Sequence, residues 1–515
     1  MSVPTGIAAA MKINFVMPPI ASISGGPLAI LEYANRFLEA GHVVSITTYP
    51  DTNWSGDNPY PWFKFKGELH YKRLRGLQLG PEQGLDLSKI DRSDLQRLSD
   101  AISITLGPSA LRELVLSSSA NVPNKMALST VVDEALNWLY TMEVMPDCDI
   151  NIATFWSTAF PVYFSGKGKP VFFMQHLEEV FYPIQNDLLL NKILARSAYS
   201  LPLFKIANSS WLRDQIKLRY GQNVPFSTNA IEIGDFNPRP KTSETDGVIR
   251  LVTYARPEDW KGFADAVAAV SQARSRLGGK LQWNVFGYKH PVLTEQNAYA
   301  PYVYHPKLSF AALADLYATS DIALCPSWYE SFPLPPLEAM ASGTATITTG
   351  AGTEDYAFDG DNAWVVGSRD TTAMADAICR LATDPSLRSK LATNGRKTAE
   401  RYTWSRAASE REALLLDIHE GRIAYNPNQG ISAGLADVNG IAFERAPLDI
   451  TDHREGLYWN HGALFLFKDG VRHHVTEGDL IPLLIERGYG YVDVSDLDAI
   501  RIPAGRPICT PSDIH

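Results

Sequence analysis

The stretch that decides the fold runs from Ile249 to Tyr288 and reads IRLVTYARPEDWKGFADAVAAVSQARSRLGGKLQWNVFGY. The run IRLVTYA predicts a strand, the segment from Trp260 to Gly279 has helical spacing, and LQWNVFGY predicts a second strand. Two further predicted helices, LADLYATSD and LEAMASG, lead into the predicted strands IALCPS and TATITTG. Because strands and helices alternate, we predict a parallel sheet covered by helices, as in Rossmann-like α/β proteins.

The same alternation begins near the N-terminus. The apolar run KINFVM, from Lys12 to Met17, predicts a buried strand, and Gly25 and Gly26 are expected in the loop that follows it. PLAILEYANRFLEAGH has helical spacing, VVSITTY predicts the next strand, and KPVFFMQH predicts a strand that ends at His176. A glycine loop between strand and helix lies at the carboxyl edge of a parallel sheet, where α/β proteins bind ligands. The sequence thus predicts two parallel sheets.

The last ninety or so residues have a different sequence pattern from the alternating strands and helices of the rest of the chain. The predicted strands ALFLFK and VRHHV flank Asp469-Gly470, a two-residue hairpin signal. Thr476 and Asp479 resemble a capping box that opens the helix DLIPLLIERG. We therefore predict a small α+β module here. The predicted division is a first Rossmann-like domain over 1–228, a second over 229–404, a helix crossing back to the first domain over 405–425, and the module over 426–515.

Length and composition limit the possible functions. A chain of 515 residues is too long for one hydrophobic core. Its formal net charge of −10 argues against nucleic acid as a main partner. The four cysteines contain no C-x-x-C pair, so a zinc site or a disulfide framework is not expected. The N-terminus lacks the features of a signal peptide, and no apolar run is long enough to span a bilayer. We expect a cytoplasmic location, and peripheral association with the inner face of the membrane stays open.

Two glutamates and three prolines mark the sharpest motif, SWYESFPLPPLEAMASG, which runs from Ser327 to Gly343. Proline is tolerated in the first turn of a helix, so Glu330 is expected in a loop and Glu338 in the helix that follows. A carboxylate can accept hydrogen bonds from two neighbouring sugar hydroxyls, and loop N–H groups near a helix N-terminus favour anions. The alternative is a surface loop whose glutamates only complement the helix dipole.

Two cations form a second motif within TYARPEDWKGFADA. Arg256 and Lys261 follow a predicted strand and precede a helix, where they could neutralise a diphosphate. The alternative is an ordinary solvated basic pair.

Together these motifs resemble the donor-binding half of glycosyltransferase family 4, the retaining transferases of GT-B fold. The order and spacing agree over roughly Ile249 to Val366, and the Gly-Gly loop and His176 extend the likeness into the first half. The elements that carry the resemblance are Arg256, Lys261-Gly262, the strand from Asp321 to Ser327, Glu330, Glu338 and Ala341-Ser342-Gly343. The implied fold is two facing Rossmann-like domains.

The resemblance also implies roles for individual residues. Four side chains would act on the reacting groups, namely Glu330, Arg256, Lys261 and His176. Of these, the cations Arg256 and Lys261 would contact the donor diphosphate. The residues implied in donor binding are Gly25 and Gly26 beside the phosphates, Glu338 on the ribose hydroxyls, Ser331 and Phe332 through their backbone on the transferred sugar, and, by a looser match, Thr353 and Glu354 near the donor.

Within the first half, ATFWSTAF and FFMQHLEEVFYP resemble a narrower branch, bacterial rhamnosyltransferases that build surface-layer glycans. Related members often carry an acidic residue after the glutamine, where this chain has His176. His176 also matches a histidine that faces the reacting sugar in other family members. The ordinary alternative is a strand-end histidine that hydrogen bonds to backbone.

The implied activity is that of a retaining, metal-independent hexosyltransferase. It would move a hexose or deoxyhexose, rhamnose included, from a nucleotide-diphosphate sugar to a glycan or lipid-linked glycan in bacterial surface polysaccharide or glycoprotein assembly. No cofactor is expected beyond this donor substrate, and the expected partners are the donor and the acceptor.

Three alternatives stay open beside this activity. The first is a noncatalytic scaffold that binds sugar nucleotides or glycans, against which the presence of Glu330, Glu338, Arg256 and Lys261 counts. A dinucleotide-dependent oxidoreductase would need G-x-G-x-x-G, whereas Gly25-Gly26 is followed by Pro27 and no third glycine. D-x-D spellings at 147–149 and 359–361 match metal-binding motifs of another transferase class, but we expect both at turns. The C-terminal module resembles a short unit of bacterial surface-associated proteins, and its role is either interaction or a structural cap.

Overall fold

Two six-stranded sheets and one three-stranded sheet organise the part of the chain that the computed structural model describes. That part comprises residues 10–19, 25–48, 58–71, 137–138, 140–182, 189–287, 301–423, 455–460, 463–468, 471–475 and 480–489. The hairpin signal at Asp469-Gly470, the capping box at Thr476 and Asp479, and Cys509 lie outside these ranges.

The first sheet is parallel and has the strand order β3-β2-β1-β4-β5-β6. Its elements are β1 Lys12–Val16, α1 Gly25–Glu39, β2 Val43–Thr47, β3 Glu68–His70, β4 Ile150–Ala153, α2 Trp156–Phe164, β5 Lys169–Met174, a 3₁₀ turn Glu178–Phe181, α3 Leu189–Ser200, β6 Phe204–Ala207 and α4 Ser210–Tyr220. Helix α4 has a cap at each end, since Ser209 Oγ accepts from Leu212 N at 3.0 Å and Gly221 ends it at φ 65°.

The second sheet is also parallel, with the order β12-β11-β10-β7-β8-β9. Its elements are α5 Ser243–Asp246, β7 Ile249–Tyr254, a 3₁₀ turn Asp259–Lys261, α6 Phe263–Leu277, a 3₁₀ turn Gly278–Lys280, β8 Leu281–Gly287, β9 Val303–Pro306, α7 Phe310–Thr319, β10 Ile322–Cys325, α8 Leu334–Ala341, β11 Ala345–Thr349, β12 Trp364–Val366, α9 Thr371–Thr383 and α10 Pro385–Ala399. Asp321 joins two strands of this sheet, because its carboxylate accepts from Arg250 N at 2.8 Å and from the Ser243 hydroxyl.

Both sheets are buried on their two faces, as the apolar strands predicted. Strand β1 is buried from Ile13 to Val16, and β11 is buried throughout. Helices cover each face and divide each half into two clusters of apolar side chains. Because the faces are covered, polar side chains that bind a ligand are expected at the carboxyl ends of the parallel strands.

Helix α11, Trp404–His419, returns from the second sheet to the first. Trp404, Leu415 and Ile418 join the apolar cluster of α1 and β1. Arg411 is 1% exposed and lies between two rings, with its Cζ 3.7 Å from the centroid of Tyr33 and 3.6 Å from that of Phe173. The helix thus belongs to the core of the first half.

The two connections between the halves lie side by side. Ile231 N donates to Tyr402 O at 3.1 Å, and Ile231 forms a parallel bridge with Thr403.

The C-terminal elements are the antiparallel strands β13 Gly456–Asn460, β14 Ala463–Lys468 and β15 Val471–Val475, followed by α12 Ile481–Glu486. Strands β14 and β15 are the two that the sequence predicted. Leu457, Leu466, Val475 and Leu484 form a separate small core. Within the described ranges, no helix combines the length and apolar character needed to cross a membrane.

Candidate active site

A cleft of about 830 Å³ opens between the carboxyl edges of the two parallel sheets. The residues that line it come largely from the loops that follow β1, β4, β5, β7, β10 and β11. Of the residues predicted from the sequence, it brings together Gly25, Gly26, His176, Arg256, Lys261, Glu330, Ser331, Phe332, Glu338 and Thr353. Glu354 is exposed and lies outside the residues that line the cleft.

Two glycines allow the loops of the second half to approach one another. Gly262 has φ +69°, and a Cβ there would lie 2.1 Å from Pro326 O. Gly352 has φ +81°, and a Cβ there would lie 2.3 Å from Glu330 O. Real Cβ atoms cannot approach an oxygen so closely, and L side chains rarely adopt these dihedral angles. The Lys261 turn and the Glu330 loop are therefore packed together through glycine.

Lys261 and Glu330 form an ion pair within the cleft. Lys261 Nζ lies 2.5 Å from Glu330 Oε1, and the two side chains are 21% and 12% exposed. Burial raises the pKa of the Glu330 carboxyl, but Lys261, His176 and a hydrogen bond from Ser327 together lower it below its ordinary value. Glu330 is therefore an anion at neutral pH, and Lys261 is its counterion in the absence of a ligand.

Glu338 has a different environment from Glu330. It is the fifth residue of α8, it is 9% exposed, and burial raises the pKa of its carboxyl to about 7. In the described part of the chain, no cation lies within ion-pair distance of its carboxylate. A carboxyl group placed this way can accept hydrogen bonds from a pair of ligand hydroxyls.

Arg256 follows β7 at the mouth of the same cleft. Its Nε lies 3.4 Å from Glu258 Oε2, and neither atom has a hydrogen-bond partner among the described residues. Its Cζ is 5.9 Å from the ring centroid of Tyr254. The guanidinium is therefore weakly held and has N–H groups to offer an anion.

His176 follows β5 and reaches the cleft from the first half. Burial lowers the pKa of its imidazole to about 4, so the ring is neutral at pH 7. Neither ring nitrogen has a hydrogen-bond partner among the described residues. The ring centroid lies 4.7 Å from that of Phe181 and 6.1 Å from that of Tyr329. The imidazole is therefore packed among rings, and its nitrogens are unused.

Gly25 and Gly26 are the first two residues of α1, whereas the sequence analysis expected them in a loop. The N-terminus of α1 thus lies at the wall of the cleft, where the positive end of the helix dipole favours an anion. A Cβ on Gly26 would lie 3.4 Å from Gln175 Nε2.

Ser331 contacts the opposite half of the molecule. Its hydroxyl donates to Asn208 Oδ1 and lies 3.2 Å from Ser209 Oγ. The Phe332 ring packs against Tyr356 and Tyr402, so only its backbone is left for a ligand. The loop after Glu330 thus also connects the two halves.

Thr353 is buried, and its hydroxyl donates to Thr349 O at 2.7 Å. That bond holds the turn after β11 in place.

Several polar side chains that line the cleft were not predicted from the sequence, among them Gln175, Glu178 and Asn208 in the first half. Gln175 directly follows β5 and Asn208 directly follows β6, so both lie at the carboxyl edge of the sheet, where α/β proteins bind ligands. The motifs that guided the sequence analysis lie in the second half, and these residues lie in the first.

In each of the two D-x-D sequences, one aspartate carboxylate accepts a hydrogen bond from a backbone N–H group. Asp149 Oδ2 accepts from Lys12 N at 2.7 Å, and Asp359 Oδ1 accepts from Val365 N at 2.9 Å. Among the described residues, no group of three or more His, Cys, Asp or Glu side chains has the arrangement of a metal site.

Comparison with known proteins agrees with this architecture. Residues 249–384 match the family described as glycosyl transferases group 1. The chain is 24% identical over 275 residues to the O-antigen biosynthesis protein RfbC of Myxococcus xanthus, covering 51% of this chain and 20% of that protein. It is 34% identical over 113 residues to the D-inositol 3-phosphate glycosyltransferase of Saccharomonospora viridis, covering 22% and 25%. The chain thus spans about a fifth to a quarter of the length of these curated relatives.

The fold also has solved counterparts. The structure of Anabaena Alr3699/HepE in complex with UDP-glucose superimposes with a TM-score of 0.53 at 14% identity, over 79% of this chain and 99% of that one. The predicted α/β architecture with two Rossmann-like halves is confirmed as the GT-B type. The resemblance is confirmed at the level of group 1 glycosyltransferases, while the assignments to family 4 and to the rhamnosyltransferase branch stay predictions.

Proposed function

We propose that this protein is a glycosyltransferase that moves a hexose or deoxyhexose from a nucleotide-diphosphate sugar to a hydroxyl of a glycan acceptor. The main supporting observation is that four motif residues converge on one cleft between two parallel sheets. Arg256 and Lys261 come from the connection between β7 and α6, and Glu330 and Glu338 come from the loop after β10 and from helix α8. Two of these side chains are cations and two are carboxyls, which is the set needed to hold a diphosphate and sugar hydroxyls together.

The donor would lie against the second half. Arg256 and Lys261 would neutralise the leaving diphosphate, with the N-terminus of α1 at Gly25 as a further positive dipole. Glu338 would accept hydrogen bonds from the ribose hydroxyls, and Glu330 from hydroxyls of the transferred sugar. Binding would replace the Lys261–Glu330 ion pair by contacts of each partner with the donor.

The chemical step separates a sugar with oxocarbenium character from the diphosphate. Fixed positive groups aimed at the leaving group stabilise the charge that develops on it, and each such group contributes on the order of a hundredfold in rate. We propose that the reaction needs no cofactor and retains the anomeric configuration. In that reaction the cleft mainly positions the two substrates. Neutral His176 would contact the reacting sugar through an imidazole nitrogen.

The acceptor would enter from the first half, and its proposed class is a glycan of bacterial surface polysaccharide assembly. Two of the similar proteins support this proposal by their names, an O-antigen biosynthesis protein and a protein solved with UDP-glucose. Rhamnose is the proposed deoxyhexose, on the likeness of the segments around Trp156 and His176 to rhamnosyltransferases.

The test measures release of nucleoside diphosphate from UDP-, dTDP- and GDP-linked sugars. Each donor is incubated alone and with methyl hexosides, methyl deoxyhexosides and bacterial glycan fragments. Lys261→Ala and Glu338→Ala are compared with Lys217→Ala, which removes an exposed lysine outside the cleft. The proposal expects one donor to be consumed with acceptor stimulation, both cleft variants to lose at least about a hundredfold, and the control to keep wild-type activity.

Binding of a nucleotide sugar without turnover under all these conditions would favour a noncatalytic scaffold. The anomeric proton of the product, followed by NMR from the start of the reaction, tests retention. An excess of EDTA tests whether the reaction needs a metal.

A further inference from the structure

Two adjacent glutamates in the first half have opposite environments. Glu178 and Glu179 are each 2% exposed. Glu179 is an ordinary structural anion, since Arg196 Nε and Arg219 Nη1 lie 3.1 Å and 2.9 Å from its carboxylate and the Tyr220 hydroxyl donates to it. Glu178 has no cation within ion-pair distance among the described residues. An unpaired buried carboxyl costs folding free energy, so a use for it should be sought.

The Glu178 side chain is held at one oxygen. Glu178 Oε2 accepts from Trp156 N at 2.6 Å, at the start of α2. Glu178 is among the residues that line the cleft, together with its neighbour His176 and with Phe155. One carboxyl oxygen is thus used by the protein, and the geometry leaves the other for a molecule in the cleft.

A buried tyrosine fixes this orientation. The Tyr199 hydroxyl donates to His176 O at 2.8 Å and accepts from Glu178 N at 2.8 Å. One hydroxyl therefore closes the turn between the two residues, which brings both side chains to the cleft. Glu179, the next residue, is directed to Arg196 and Arg219 instead.

We propose that Glu178 is an acceptor-binding residue whose carboxyl group hydrogen bonds an oxygen of the sugar acceptor while Trp156 N–H holds its other oxygen. This inference rests on the proposed transferase function. It assigns to the first half a polar contact that the donor-site residues of the second half do not supply.

Burial determines the form in which Glu178 acts. Burial raises the pKa of its carboxyl well above the usual range, against the lowering effect of the hydrogen bond from Trp156 N. Burial thus favours the protonated carboxyl group, and in that form Glu178 can donate an O–H to the acceptor. Glutamine has the same shape, with an amide oxygen for Trp156 N–H and an NH₂ group in the donor position.

The experiment compares two reactions of the full chain, transfer of the sugar to the methyl glycoside that wild type glycosylates best, and hydrolysis of the same donor without acceptor. The variants are Glu178→Ala and Glu178→Gln, with Glu179→Gln as the matched control. Thermal unfolding is recorded for each variant, because both positions are buried.

Glu178→Ala is expected to lower the ratio of transfer to hydrolysis about tenfold, which is the loss of one neutral hydrogen bond. Glu178→Gln is expected to restore that ratio to within about threefold of wild type. Glu179→Gln is expected to lower the melting temperature and leave the ratio unchanged, because its partners lie outside the cleft.

An unchanged ratio in Glu178→Ala, or equal losses of transfer and hydrolysis, would reduce Glu178 to a structural cap of α2 and overturn the inference. A Glu178→Gln variant as defective as Glu178→Ala would overturn the assignment of a neutral donor. Donor hydrolysis by wild type without transfer to any probe also counts against an acceptor-binding role. A wild type that consumes no donor overturns the proposed function itself, a different result from these three.

Discussion

Lys261 Nζ lies 2.5 Å from Glu330 Oε1, although 69 residues separate them in the chain. In our proposal these side chains contact two different parts of a donor, Lys261 the diphosphate and Glu330 the transferred sugar. In the ligand-free cleft they neutralise each other. The pair therefore contributes both to stability and, in our proposal, to catalysis, and mutations can separate the two.

Lys261→Met leaves Glu330 as an unpaired, largely buried carboxylate. We expect the free energy of unfolding to fall by about 3 kcal/mol, measured by urea denaturation. The double variant Lys261→Met/Glu330→Gln removes both charges and should recover most of that stability. Its donor turnover should stay at least about a hundredfold below wild type. A double variant no more stable than Lys261→Met would show that the ion pair does not account for the loss.

Glu338 makes stability depend on pH. Its pKa is raised by burial from 4.5 to about 7, so the folded state binds its proton more tightly than the unfolded state does. The stability that this proton contributes is complete below pH 4.5 and is lost as the pH rises through 7. At about 1.4 kcal/mol per pKa unit, the loss above pH 8 is roughly 3 kcal/mol.

Glu338→Gln removes this titration. We therefore expect its melting temperature to fall less between pH 5 and pH 8 than that of wild type, in scans without nucleotide. Parallel pH profiles for the two proteins would mean that the Glu338 carboxyl ionises as freely when folded as when unfolded.

Gly352→Ala tests the close packing of the Glu330 loop. The new Cβ would lie 2.3 Å from Glu330 O, at φ +81°. Gly360 is the matched control, since it has φ +69° and nothing within 4 Å of the position of a Cβ. Gly360→Ala should cost about 1–2 kcal/mol for the left-handed backbone alone, whereas Gly352→Ala should cost clearly more and also lower donor turnover. Equal losses of unfolding free energy in the two variants would contradict the close approach of Gly352 to Glu330 O.

Ser331→Ala removes a hydrogen bond between the two halves. Asn208 Oδ1 would lose its donor, while Asn208 Nδ2 would keep its bond to Gln175 O at 2.9 Å. We expect a loss of about 1–3 kcal/mol in unfolding free energy, because a buried acceptor is left unsatisfied. Small-angle scattering should show a broader range of separations of the halves. A scattering curve identical to that of wild type would assign Ser331 to local packing alone.

Periodicity and turn chemistry were sufficient for the fold. Apolar runs predicted strands such as β1 and β7, and helical spacing predicted the helix that lies between β1 and β2. The sequence could not show where an apolar run changes structure. INIATFW is a largely apolar run, but β4 ends at Ala153 within it and Trp156 begins a helix.

The sequence predicted those residues of the candidate site that belong to a recognisable motif. Arg256, Lys261, Glu330 and Glu338 reach the cleft because each follows a strand or opens a helix at the edge of one sheet. Contacts between distant segments left no signal, as with the Ser331 hydroxyl and Asn208, 123 residues apart. The contrast between Glu178 and Glu179 was equally hidden, since two identical adjacent residues differ only in what the fold places around them.

Helix α11 has a consequence for how the chain is made. Arg411 donates to Ser227 O across 184 residues, and its guanidinium lies between Tyr33 and Phe173 in the core of the first half. A ribosome must therefore complete the entire second half before the first half can close its own core. Until then the nascent chain carries an uncovered apolar face around α1, the kind of surface that chaperones hold. The half that is synthesised first is the one that finishes folding last.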